Sequence, residues 1–193
     1  MILCLDISTS VVGVTLADND GNLIELTHIE FKDTKNHKLT LFEKLKQFMI
    51  LIDSLVEKTP NGTIKTIVVE EPLKRFKGKF SNADTLSKLN NFNGMICGSL
   101  YLKYYTEPIF INVNSARKLA FPNLKLSHDG GNSSKHEIWS QVMQLLPQIN
   151  WEYSSRTAKL KDSMYDRSDS YVQLLAFLVM KDKQINIQSL QEN

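Results

Sequence analysis

The chain has 193 residues, with 42% apolar and 23% charged residues and a formal net charge of +2. Those values suit one compact α/β domain, and the overall charge gives no argument for nucleic acid. No apolar run is long enough to span a bilayer, and the N-terminus lacks the basic-then-apolar pattern of a secretory signal. Cys4 and Cys97 lie in apolar contexts and read as reduced core residues of a cytoplasmic protein. The four histidines, His28, His37, His128 and His136, are too scattered to make a zinc site with them.

The first elements read as strands. Ile2, Leu3, Cys4 and Leu5 form an apolar run that stops at Asp6. A β-branched stretch at residues 11–16 follows. Asp18, Asn19, Asp20 and Gly21 then make a hairpin turn, because Asp-Gly accepts the positive φ that such turns need. A third strand over residues 23–31 completes an antiparallel meander. Leu41, Phe42, Leu45, Phe48, Met49, Ile52 and Val56 recur at helical spacing over residues 39–58, and Pro60, Asn61 and Gly62 end that helix.

A central strand is predicted over residues 63–69, with Glu70 directly after Ile67, Val68 and Val69. Residues 72–81 read as a basic loop, and residues 83–105 as a helix. Gly94 and Gly98 stand four apart on that helix, which would let a neighbouring element approach closely. A short strand over residues 108–113, a short helix over 115–120 and a polar loop over 127–134 come next. A helix over residues 135–146 closes at Pro147, and residues 148–161 read as irregular. The last helix runs from residue 162 to about Met180. The domain is thus read as residues 1–180, and residues 181–193 as a polar, frayed tail.

Four carboxylates occupy places where a chain normally puts apolar side chains. Asp6 and Glu70 end core strands, and Asp166 and Asp169 stand three apart at the head of an apolar helix. Charged Asp and Glu are rarely buried unless they are paired or hold a metal. An i, i+3 pair shares one helix face and can meet a carboxylate aimed from a sheet edge. Hard cations such as Mg2+ or Mn2+ take oxygen ligands, and four carboxylates can supply a two-metal site. Asp162 lies near the same helix face and is a reserve ligand. Glu71 alternates away from Glu70 along the strand. Taken singly, each group has a structural reading: an Asp pair at a helix start can cap the helix or oppose its dipole. The three locations together, in a β-β-β-α-β order, favour a site.

Lys74, Arg75, Lys77 and Lys79 form a basic run just after Glu70, interleaved with Phe76 and Phe80. Such a run beside an acidic cluster would set phosphates next to a metal. An aromatic residue there could stack on an opened base pair, although packing of the loop onto the core would also explain both phenylalanines.

With these residues in hand, the chain resembles the RuvC-type Holliday junction resolvases of the RNase H-like nuclease superfamily. The matching stretches, in order, are Leu3 to Ser10 with Gly13 to Leu16; Ile67 to Glu70; Phe80 to Asp84 with Lys88, Leu89 and Gly94; Asn112 to Lys118 with Lys135; and Asp166 to Tyr171. They span about residues 1–180. The resemblance implies an RNase H-like α/β fold with a mixed five-stranded sheet, three strands antiparallel and then two parallel, flanked by helices. It implies Asp6, Glu70, Asp166 and Asp169 as ligands of two Mg2+ or Mn2+ ions, with Asp6 bridging. It further implies a homodimer that makes paired nicks across four-way DNA and leaves 5′-phosphate and 3′-hydroxyl ends. Lys118 and Lys135 would meet backbone phosphate near the cut, while Lys74, Arg75, Phe76, Lys77 and Lys79 would hold a junction arm.

Three departures stand out: Ser170 replaces the family's usual Ala, no His precedes Asp166, and the stretch Ser127 to Ser134 is longer and more polar than the family's. They would fit a divergent, phage- or virus-encoded member. Three other classes compete. A flap or branched-DNA nuclease would use the same carboxylates. A non-catalytic junction binder would have no reason to keep all four. Actin-like kinases also open on a strand ending in Asp, but they need two such domains.

Overall fold

Met1 to Ala17 builds the centre of the sheet. In the computed structural model, which describes residues 1–59, 62–72, 83–124 and 132–191 (of 132–133 and 184–191 only the backbone), β1 (Ile2–Ile7) pairs antiparallel with β2 (Val11–Ala17), and β2 with β3 (Leu23–Glu30). The β2–β3 turn places Gly21 at φ +92°, as its Asp-Gly sequence requires. β4 (Thr66–Glu70) and β5 (Pro108–Ile111) add in parallel on the other side of β1, giving the order β3-β2-β1-β4-β5. This is the expected mixed five-stranded sheet.

Alternation along β1 divides the interior in two. Leu3, Leu5 and Ile7 point to one face with Ile67 and Val69, where α1 (Leu41–Glu57) and α2 (Ala83–Tyr104) supply Phe48, Ile52, Phe92 and Ile96. Ile2, Cys4 and Val68 point to the other. There α3 (Val113–Ala120), α4 (Asn132–Leu145) and α5 (Ser163–Gln191) supply Ala116, Ile138, Val172 and Leu174. A sheet covered on both faces explains why its central strands read as unbroken apolar runs.

Helix ends follow local chemistry. Thr40 caps α1 in a capping box: its hydroxyl accepts from the Glu43 amide at 3.2 Å, and Glu43 accepts from the Thr40 amide at 2.8 Å. Tyr105 ends α2 in the left-handed region at φ 53°.

Several expectations need correction. The last helix does not stop near Met180 but continues to Gln191; residues 181–191 contain no Gly or Pro to end it. α4 starts at Asn132, three residues early, because Asn and Ser suit a first helical turn. Phe42 is 76% exposed rather than part of the α1 core stripe, since it lies roughly 120° round the helix from Phe48. Apart from the adjoining residues and backbone of α2 itself, no described atom lies within 4 Å of a methyl built on Gly94 or Gly98, so no other described element makes the close approach expected there. Within the segment over residues 148–161, Tyr153 and Leu160 form an antiparallel bridge.

Candidate active site

Register alone brings the first two carboxylates together. β1 and β4 run parallel with Leu5 beside Val69, so the next residues, Asp6 and Glu70, sit side by side at the same strand ends. Period-two alternation sends both to the face that carries Ile2, Cys4 and Val68, where α5 packs. Glu71 lies beyond the strand; its amide donates to the Ile111 carbonyl at 3.0 Å, and Asn112 Nδ2 lies 3.5 Å from its Oε2.

Helix α5 delivers the second pair. It crosses β2 at Gly13, the residue opposite Asp6 in the register. A Cβ on Gly13 would stand 2.0 Å from the Asp166 carbonyl oxygen, so the first turn of α5 comes this close only over a glycine. Ser170, four residues on, shares a 2.8 Å hydrogen bond with Thr15 of β2 and donates to the Arg167 carbonyl at 2.8 Å. The hydroxyl at this position therefore fastens α5 to the sheet. Arg167 does the same on its outer side: its Nε donates to the Leu26 carbonyl at 2.8 Å and its Nη1 to the Asn150 carbonyl at 3.0 Å, and its guanidinium lies over Trp151. With α5 so fixed, the i, i+3 spacing of Asp166 and Asp169 turns both towards Asp6 and Glu70.

The electrostatics record this convergence. Burial pushes the Asp6 carboxyl well above the usual carboxylate range, and the negative charges of Glu70, Asp169 and Asp166 push it further, although its side chain keeps some solvent contact. Glu70 is raised to about 7, first by burial and next by Asp169. Asp166 is raised to about 6 by burial, with Asp169 and Asp162 adding to it and Lys135 opposing. Burial also raises Asp169, against the pull of Arg117 and Lys135. Four carboxylates that resist ionising together are held where only added positive charge relieves them.

Two cations of the chain face this cluster. Arg117 Nη2 donates to both oxygens of Asp169 at 3.2 and 3.1 Å, with both side chains largely buried. Its Nε is buried without a hydrogen-bond partner among the described residues. Lys135, exposed at the head of α4, offsets the charge of all four carboxylates. Sequence reasoning favours Lys118 from this stretch; in the fold Lys118 is exposed, and its neighbour Arg117 is the one that grips a carboxylate. Asp162 is exposed just ahead of α5, near enough to raise Asp166. Lys74, Arg75, Phe76, Lys77, Lys79 and Phe80 lie outside the described residues.

The donor chemistry fits a hard divalent cation: four carboxylates from three elements, with no sulfur or imidazole among them. Among the described residues no three such side chains stand as a closed ligand group.

No family model matches the chain, and no curated protein matches it in sequence. Solved structures do match. Thermus thermophilus RuvC in complex with Holliday junction substrate is similar at a TM-score of 0.59 and 10% identity, over 94% of this chain and 94% of that one. A second structure of Thermus thermophilus RuvC gives 0.57 and 10% over 95% and 96%. The yeast mitochondrial Holliday junction resolvase Ydc2 gives 0.57 and 12% over 98% and 82%. Along nearly its whole length, this chain has the RNase H-like fold of the RuvC-type resolvases.

Proposed function

We propose that the protein is a divalent-metal-dependent endonuclease that resolves four-way DNA junctions by paired nicks. The observation that carries this reading is the meeting of Asp6 and Glu70, at the ends of β1 and β4, with Asp166 and Asp169 at the head of α5. The fold shared with RuvC and Ydc2 supports it.

Those four side chains would hold the cations, with Asp6 central among them. Two bound Mg2+ or Mn2+ ions would activate a water for in-line attack and stabilise the departing 3′ oxygen, leaving 5′-phosphate and 3′-hydroxyl ends. The chain's own residues do the rest. Arg117 orients Asp169 through both of its oxygens. Lys135 lies exposed beside the carboxylates, where it can draw a phosphate towards them. The basic run after Glu70 would grip a junction arm. A two-fold pair of chains suits a near-two-fold junction, because each site then meets an equivalent strand.

The test is a cleavage assay on a labelled four-way junction, a flap and plain duplex, in Mg2+ and in EDTA, with wild type and Asp6→Asn. Symmetric, Mg2+-dependent junction nicks that Asp6→Asn loses are expected. Equal cutting of flap and junction would replace the resolvase by a general branched-DNA nuclease. Tight junction binding without cleavage in either metal would make the protein a binder.

A further inference from the structure

A cavity of about 380 Å³ opens between the start of α4 and the segment leading into α5, lined by Asp162, whose charge reaches Asp166. His136, Tyr153 and Tyr165 line it with aromatic rings, and Lys159 and Asp162 supply polar groups. Its position is set by the same two helix starts that build the site. Tyr165 immediately precedes Asp166, and His136 immediately follows Lys135. Asp162 and Asp166 are one helical turn apart, or roughly 5–6 Å.

Contacts within the chain hold parts of both walls. His136 Nδ1 lies 3.3 Å from the Tyr165 hydroxyl, and the two rings meet edge to face at 6.4 Å. His136 also lies 4.9 Å from the Trp139 ring, which anchors it to the core. On the opposite wall, Tyr153 bridges to Leu160, the Ser154 amide donates to the Lys159 carbonyl at 2.7 Å, and the Ala158 amide to the Ser154 carbonyl at 2.9 Å. Ala158 is held at φ 51° in this turn, a conformation an alanine adopts only under constraint. Tyr153 nonetheless keeps half of its surface in solvent.

We propose that this cavity receives one unstacked nucleobase of the strand being cut, and that it favours amino-bearing bases over thymine. This rests on the junction-endonuclease reading. If a phosphodiester lies at the four carboxylates, a base within one nucleotide of it must either stay stacked or enter a neighbouring pocket. Aromatic rings accept any base face. Enzymes that take a base out of the stack read its Watson–Crick edge with a few polar groups. Asp162 can accept from an exocyclic amine, and Lys159 can donate to the ring nitrogen or carbonyl beside it. Thymine offers no exocyclic amine.

The experiment uses the full chain and four-way junctions in which the two nucleotides on each side of the cut are permuted through all four bases. The readout is the ratio of cutting between bases at each position, for wild type, Tyr153→Ala and Lys159→Ala. Wild type should disfavour thymine at one flanking position by about tenfold, the size of one good polar contact. Both substitutions should bring that ratio to within about twofold. Two variants at separate wall residues guard against a fold defect in either one, and circular dichroism checks each. A wild type with no preference, or a preference that both folded variants keep, overturns the pocket while leaving junction cleavage standing. A wild type that cuts no branched DNA overturns the endonuclease reading and the pocket with it.

Discussion

At the scale of residues, the carboxylate cluster makes the metal-free protein sensitive to pH. Glu70 titrates near 4.5 in the unfolded chain and at about 7 in the fold. The native state therefore keeps a proton that the unfolded chain releases, so stability from this group is complete below pH 4.5 and is lost as pH rises towards 7. After a discount for partial solvent screening, the loss is about 1–2 kcal/mol, or roughly 2–8 °C in Tm for a chain of this size. In EDTA, Glu70→Gln should thus melt above wild type at pH 7.5, and the gap should close by pH 4.5. A variant that melts no higher at pH 7.5 would show that Glu70 is not desolvated among like charges. Mg2+ should raise wild-type Tm more than that of the variant, because the ion relieves a repulsion the variant lacks.

At the scale of elements, the site depends on how closely α5 approaches β2. Gly13 has no room for a methyl group against the Asp166 carbonyl. Gly13→Ala must shift the head of α5 away from β1, and with it both aspartates. Overpacking of this kind costs about 1–3 kcal/mol, and displacements near 1 Å cost reactions about a hundredfold. Gly13→Ala is expected to remain folded by circular dichroism, melt lower, and lose at least about a hundredfold in cleavage rate. Wild-type rate in that variant would show that α5 tolerates the shift. By contrast, Ser170→Ala gives up only the bonds to Thr15 and to the Arg167 carbonyl, so the family's usual residue fits at the same place.

At the scale of the whole molecule, DNA affinity must come from local charge, since the net charge is only +2. Removing one lysine that neutralises a phosphate should flatten the dependence of log K on log salt by about 0.9. Junction binding by Asp6→Asn, measured across a salt series with and without Lys77→Ala, tests the basic run directly. A slope reduced by about one unit assigns Lys77 to a phosphate; an unchanged slope and affinity would remove that run from the interface. No helix among the described residues is long and apolar enough to cross a membrane, in keeping with the hydropathy of the sequence.

Local patterns suffice for the opening meander and for the interior position of the strand ending at Glu70, and they single out the four carboxylates as candidates. Alternation marks the first, an unbroken apolar run the second, and an acid where an apolar residue is the norm the third. Composition misleads at the end of α5, where a polar stretch resembles a frayed tail although nothing in residues 181–191 stops a helix. Arg117 and Lys118 look alike as two adjacent basic residues until the helix face is known. Long-range packing alone puts Asp6 and Glu70 in register, admits α5 over Gly13, and encloses a cavity between His136, Tyr153 and Tyr165. Such contacts join residues as far apart as Gly13 and Asp166. They depend on which faces meet once the sheet and helices have formed, and no stretch of neighbouring residues encodes that meeting.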